Sequence, residues 1–252
     1  MYAKVHLFLF LLQFIESFCI GYLLRIATMV NKIDIRLWVM HMMKISSTLA
    51  GRDKLIRLVQ YLSRLQILFL LNNKRSSQPN LERWRKLVRH LNSTRKLLRV
   101  GKAPEYVQAA VNIITIDKAD HFLQHLLSLR QLLLAGYITL DNVTVLDSLG
   151  VYPWKTARRI QVEASRLWLG AIICGLVSQL YFFYNLKHLP DTKKASNSAK
   201  ILHFKHAANT LQLLNALFDL PIACSAAKIF NFSDGLISVC GAASSLVGIA
   251  NI

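Results

Sequence analysis

Between Ala50 and Leu71 the apolar positions Leu55, Leu58, Val59, Leu62, Leu65 and Phe69 recur at spacings of three and four, which predicts one face of a helix. Arg52, Lys54, Arg57 and Arg64 lie mainly off that stripe. The polar segment 72–80, which contains Pro79, breaks the pattern and reads as a loop. Residues 81–102 then predict a second helix, with Leu81, Trp84, Leu87, Val88, Leu91 and Leu98 on one side. Gly101 and Pro104 stop it. Residues 105–147 form one long Leu-dense pattern suited to a bundle, bending or ending near Gly136 or at Asp141 and Asn142. Gly150 and Pro153 open a turn before Trp154.

Residues 167–184 are free of charge. At 1.5 Å per residue they reach ~27 Å, enough for the shortest credible crossing of a ~30 Å hydrocarbon core. Tyr181 and Tyr184 sit at one end, as interfacial aromatics do. The tail 235–252 is uncharged too and forms a second candidate span. Within it Gly241 and Ser245, and Ser244 and Gly248, stand four apart, a small-residue spacing that lets helices approach closely in lipid. A polar, lysine-bearing linker of roughly residues 185–206 separates the two. An apolar stretch at 5–30 is interrupted by Gln13, Glu16 and Arg25 and makes a compromised span.

Composition sharpens this reading. The chain of 252 residues carries 31 basic and 13 acidic residues, a net charge of +18, yet only 17% of it is charged, against ~25% in an average soluble domain. Apolar types make up 54% and the mean hydropathy is +0.35. So much apolar side chain excludes a disordered chain. Cys19, Cys174, Cys224 and Cys240 are too few for a disulfide scaffold and read as small hydrophobes. A nucleic-acid binder needs its basic residues on a soluble fold, and the 18-residue apolar runs argue against one. Basic and apolar together point to a membrane protein with a basic face.

That face falls on the second helix. Residues 81–102 hold eight basic residues (Arg83, Arg85, Lys86, Arg89, Arg95, Lys96, Arg99 and Lys102) against Glu82, for a charge of +7. An apolar stripe carrying Trp, opposite Arg and Lys, describes a helix lying in a membrane interface. Its candidate membrane-binding residues are Leu81, Trp84, Arg85, Lys86, Leu87, Val88, Arg89, Leu91, Arg95, Lys96, Leu98, Arg99 and Lys102, and its partner is an anionic phospholipid surface.

Catalytic signatures are missing. No glycine-rich phosphate loop, nucleophile elbow or HExxH occurs in the chain. Asp117, Asp120, His121 and His125 have spacings a zinc ion could use, but a loose set without a clear fourth ligand reads as a polar helix stripe. No metal, cofactor or enzymatic activity is expected. The predicted fold is all-α: a membrane-associated bundle with amphipathic N-terminal helices and one or two C-terminal membrane spans.

Two basic segments carry a family resemblance. AGRDKLIRLVQYLSR (50–64), followed by RKLLRVGK (95–102), resembles the peroxin-11 family of peroxisomal membrane proteins. The motif residues are Gly51, Arg52, Asp53, Lys54, Arg57, Gln60 and Tyr61, and LDNVTVLDSLGV (140–151) resembles a further family segment. The likeness covers roughly residues 44–250. Family chains usually begin shortly before the first motif, near Met40, Met42 or Met43 here, so residues 1–39 read as an extension outside a working unit of 40–252. The resemblance implies residence in the peroxisomal membrane, elongation of that membrane, and recruitment of a dynamin-type fission GTPase with its membrane adaptors. Copies associating through the glycine-rich tail as a homo-oligomer would multiply the bending. A rival reading is a metabolite pore, for which 167–184 offers Ser178 and Gln179 as polar lining.

Overall fold

The computed structural model describes residues 40, 43–72, 78–115, 120–187 and 198–251, with backbone alone at 186–187 and 198–207. The extension 1–39 with Cys19, Asp117, and most of the linker before Ser198 lie outside these residues. Contacts divide the chain into Met1–Thr48 and Leu49–Ile252. In the first unit the described stretch 43–47 is helical, with the Ser47 hydroxyl donating to the Lys44 carbonyl at 2.8 Å.

The second unit is built from α1 (Leu49–Asn72), α2 (Gln78–Leu98), α3 (Ala103–Thr115), α4 (His121–Val143), the single turn α5 (Val145–Ser148), α6 (Ala157–Lys187), α7 (Ser198–Ala226) and α8 (Asp234–Ala250). All described regular structure in it is α-helical, as the sequence predicts. Neighbours along the bundle run α3, α4, α6, α7, α8, α1, α2, and α2 touches α4 and α5 in turn. Side-chain register makes α4 and α6 antiparallel. Tyr137 stacks on Trp168 at 5.9 Å between ring centroids, and Phe122 meets Tyr181 edge-on at 5.4 Å. Between these pairs Leu133 lies against Gly170, and Arg130 against Gly175.

Several expected boundaries move, each for a local reason. The pattern at 105–147 is two helices, because the Asp120 side chain accepts from the Leu123 backbone N–H (3.3 Å) and starts α4 afresh. Asp120 is therefore a helix cap, and His121 and His125 are exposed. Gly136 does not end α4; it lets α6 approach, since a Cβ there would stand 3.0 Å from Leu167. Pro79 lies inside α2, where a first-turn proline gives up no intrahelical hydrogen bond. At its other end α2 stops at Leu98, and Gly101 takes φ +82°, so Arg99 and Lys102 lie beyond the helix. Helix α7 begins at Ser198, inside the expected linker.

Among the described residues, Ala157–Asn185 is the one helix long and apolar enough to cross a membrane. The tail helix α8 has 17 residues, ~26 Å by rise, and is shorter than a span. It starts at Ser233, whose hydroxyl accepts from the Leu236 N–H, and its small residues are buried in the bundle. Gly241 packs on the ring of Tyr61 and Gly248 on Lys54, both on α1. The predicted close-packing seam is thus filled within one chain, and the tail offers no free seam there for a second copy.

Candidate functional site

The apolar stripe predicted on α1 does not point wholly inward. Val59, Leu62 and Phe69 are 47%, 51% and 65% exposed, whereas Arg57 and Gln60 are 6% and 2% exposed. A helix that turns apolar residues out and charges in suits a surround of lipid, where a polar group needs partners inside the protein. Ile173, Val177, Leu180 and Tyr184 on α6 and Leu129 and Leu132 on α4 are exposed as well.

The inward charges form one connected network. Arg57 on α1 pairs with Asp219 on α7. The same carboxylate accepts from Ser244 on α8 at 2.6 Å, and Ser244 also donates to Asn215 at 3.0 Å. One turn before Arg57, Asp53 accepts from Arg95 and from Arg99, both at 3.0 Å. Arg95 also donates to Gln60 (2.9 Å), and Arg99 to the Tyr137 hydroxyl (2.9 Å). Lys96 reaches Asp141 at 3.3 Å, Thr144 at 3.0 Å and Ser148 at 2.9 Å. Five helices and the turn α5 are therefore joined by charge-assisted bonds, the stronger class of hydrogen bond.

Burial and neighbouring charge set the electrostatics. Burial alone raises the Asp53 carboxyl, but Arg99 and Arg95 outweigh it and hold the group at about 2. Burial lowers Arg95 to about 10, with Arg99 adding to the effect. Burial, then the charge of Arg57, brings Lys54 down to about 8. Burial is thus the larger cause for both Lys54 and Arg95, whereas Arg57 and Arg99, beside Asp219 and beside Tyr137 and Asp53, are held above their ordinary range.

Lys54 yields a pH signature. Its folded-state pKa lies below the ordinary 10.5, so between pH 8 and pH 10.5 the unfolded chain holds a proton the folded chain has released. Stability should accordingly rise with pH in that window and stay flat below it, as regards this residue. Tyr106 and Tyr137, both raised by burial, act with the opposite sign above pH 10. From pH 8 to pH 9 the gain should approach about 1 kcal/mol. Unfolding curves in neutral detergent at both pH values, compared with Lys54→Met, test this; an equal slope in the variant would remove Lys54 as the cause.

Beside the network lies a cavity of about 610 Å³ at one end of the bundle. Residues from α1, α2, α4, α6 and α7 line it, with Lys102 from the turn after α2, Tyr106 from α3 and Lys228 from the turn after α7.

The structure splits the predicted membrane-binding set in two. Arg83, Arg85, Lys86, Leu87 and Arg89 are exposed, Trp84, Val88, Leu91 and Leu98 are half-buried, and Leu81 is buried. Arg95 and Lys96 are buried and Arg99 half-buried, because Asp53, Asp141 and Tyr137 bind them. They hold the bundle together and are not on display to a lipid surface. Of the first motif, Asp53, Lys54, Arg57, Gln60 and Tyr61 all line the cavity, Gly51 is buried and Arg52 exposed. Periodicity missed Asp219, Asn215 and the polar role of Ser244. The available signal was a lone Asp in the apolar text of α7, which in lipid calls for a cation.

The description "Peroxisomal biogenesis factor 11 (PEX11)" matches residues 39–252. Over 134 residues the chain is 31% identical to peroxisomal membrane protein PMP27 of Saccharomyces cerevisiae, covering 52% of this chain and 53% of that one. The match therefore spans about half the length of that relative. It is 20% identical over 222 residues to peroxisomal biogenesis factor 11 of Schizosaccharomyces pombe, covering 83% of this chain and 92% of that protein. No solved structure matches the chain significantly.

Proposed function

The chain belongs to the Peroxisomal biogenesis factor 11 (PEX11) family, and on that premise we propose that it sits in the peroxisomal membrane and binds and curves it through the outward half of α2. The observation that carries this reading is the division of α2 into a fixed end and a free one. Its last turn is held by Asp53 and Asp141, while Arg83, Arg85, Lys86, Leu87 and Arg89 face out. An amphipathic helix lying ~5–10 Å into one leaflet widens the headgroup layer and favours positive curvature. Each basic residue near anionic lipid adds about 1 kcal/mol, a contribution that salt weakens. The apolar run of α6 is the membrane anchor, and the curved membrane is the substrate on which a dynamin-type fission GTPase and its adaptors assemble. A solute pore is less well supported: Ser178 and Gln179 are both buried in the bundle, and the Ser178 hydroxyl is spent on the Gly175 carbonyl of its own helix (2.8 Å).

Leu87→Glu tests the reading without touching the core, since Leu87 is exposed. Full-length protein in anionic proteoliposomes should form tubules, and the variant should form at least several-fold fewer, as counted by electron microscopy. In cells lacking the native protein, the variant should likewise leave peroxisomes few and enlarged. Undiminished tubulation by Leu87→Glu would reject the outward half of α2 as the curving element.

A further inference from the structure

We propose that the basic cavity at the end of the bundle is a binding site for a multiply charged phosphate group. Nine of its lining residues are Lys or Arg and three are Asp, leaving six positive charges. All three carboxylates are already committed, to Arg57, to Arg95 with Arg99, and to Lys96. Lys54, Arg64, Lys102, Arg158 and Lys228 face the same space and make no ion pair among the described residues. Lys54, Arg64 and Lys102 are half-buried, and half-buried cations without counter-charge oppose folding, so an anion inside completes the arrangement, with Arg158 and Lys228 exposed at its mouth. A single carboxylate would leave five of the six charges unmatched. The guanidinium forks of Arg64 and Arg158 with the ammonium groups of Lys54, Lys102 and Lys228, around one space of about 610 Å³, suit phosphate oxygens, and two or three phosphates on one molecule balance the excess.

The rim supports this assignment. Lys228 follows the end of α7 with φ +58°, the described non-glycine residue held at positive φ. Glycine is the usual occupant of such a cap and adopts it without strain. Here the position carries a cation pointing to the cavity instead. Trp168, which opens the apolar run of α6, also lines the space. If α6 crosses the membrane, the cavity stands at headgroup depth. The phosphates can therefore belong to a lipid headgroup or to a soluble anion; only the lipid source rests on the membrane reading above.

The experiment uses full-length protein in neutral detergent at physiological salt, where diffuse surface attraction is screened. Inositol 1,4,5-trisphosphate and inorganic triphosphate are the soluble probes, followed by calorimetry and by Trp fluorescence. Neutral vesicles doped with phosphatylinositol bisphosphate, or with phosphatidylserine at equal charge, are the lipid probes for the reconstituted protein. Arg158→Gln with Lys228→Gly removes two cavity charges, and the glycine relieves the strained cap, so the fold should survive. Lys155→Gln with Arg159→Gln removes the same charge from exposed neighbours outside the cavity. Saturable binding should be seen, weakened at least tenfold by the cavity pair and less than twofold by the control pair. Binding of the soluble probes supports a free polyphosphate; binding confined to the bisphosphate vesicles supports a lipid headgroup. Absence of saturable binding to every probe, or equal loss in both variant pairs, overturns the proposal.

Discussion

Asp219→Ala should destabilise the bundle by about 3–5 kcal/mol, the range for stripping the partner from a buried ion pair. The substitution leaves Arg57, 6% exposed, with a charge and no carboxylate partner, and removes the nearer of the two acceptors of the Ser244 hydroxyl. In detergent the midpoint of unfolding should fall by roughly 10 °C or more. Replacing both partners, Arg57→Met with Asp219→Leu, should recover most of the loss, because well-packed apolar residues do as well as a buried pair. If the double variant is as unstable as Asp219→Ala alone, shape rather than charge governs this contact.

Gly241→Ala should come next in severity, at about 3 kcal/mol, the upper end for overpacking a filled core. A Cβ at Gly241 would stand 2.4 Å from the ring of Tyr61. That ring has little room to yield. Tyr61 is buried, packs against Ile222, Cys240 and Ala242, and has the guanidinium groups of Arg57 and Arg64 over it at 5.6 and 5.3 Å. Gly235→Ala, where the added carbon meets nothing within 4 Å, supplies the matched control. In a Tyr61→Leu background the Gly241→Ala penalty should shrink, and a double-mutant cycle reads that coupling directly. Equal penalties in both backgrounds would contradict the ring contact as its source.

Helix periodicity and caps carried most of the architecture. The repeat from Leu55 to Phe69 located α1 nearly to the residue, and the uncharged run 167–184 located the apolar part of α6. What periodicity could not assign was direction. In water a stripe of Leu and Val marks the buried face; on α1 Leu58 and Leu65 do pack inward, but Arg57 and Gln60 are buried beside them while Val59 and Leu62 stand exposed. The same mixing of faces hid the site. Arg95, Lys96 and Arg99 read as headgroup contacts because their carboxylate partners lie 42, 45 and 46 residues away in the chain, beyond any local pattern. The two motif segments that carried the family resemblance supply the cations of that network and one of its carboxylates, Asp53, while Asp141 and Asp219 come from α4 and α7.

The pairing of Arg57 with Asp219 spans 162 residues, and this has a consequence for how the protein is made. At about 5–20 residues per second, a ribosome that has just released α1 needs roughly 10–30 s more to deliver its counter-charge. Throughout that interval Arg57 lacks its folded-state partner Asp219, and Leu62 and Phe69 have no lipid to face. A nascent chain in this condition is prone to aggregate. The order of the helices thus favours insertion after synthesis is complete. Chains halted before Asp219 should fail to insert stably, whereas the full-length chain reaches the membrane.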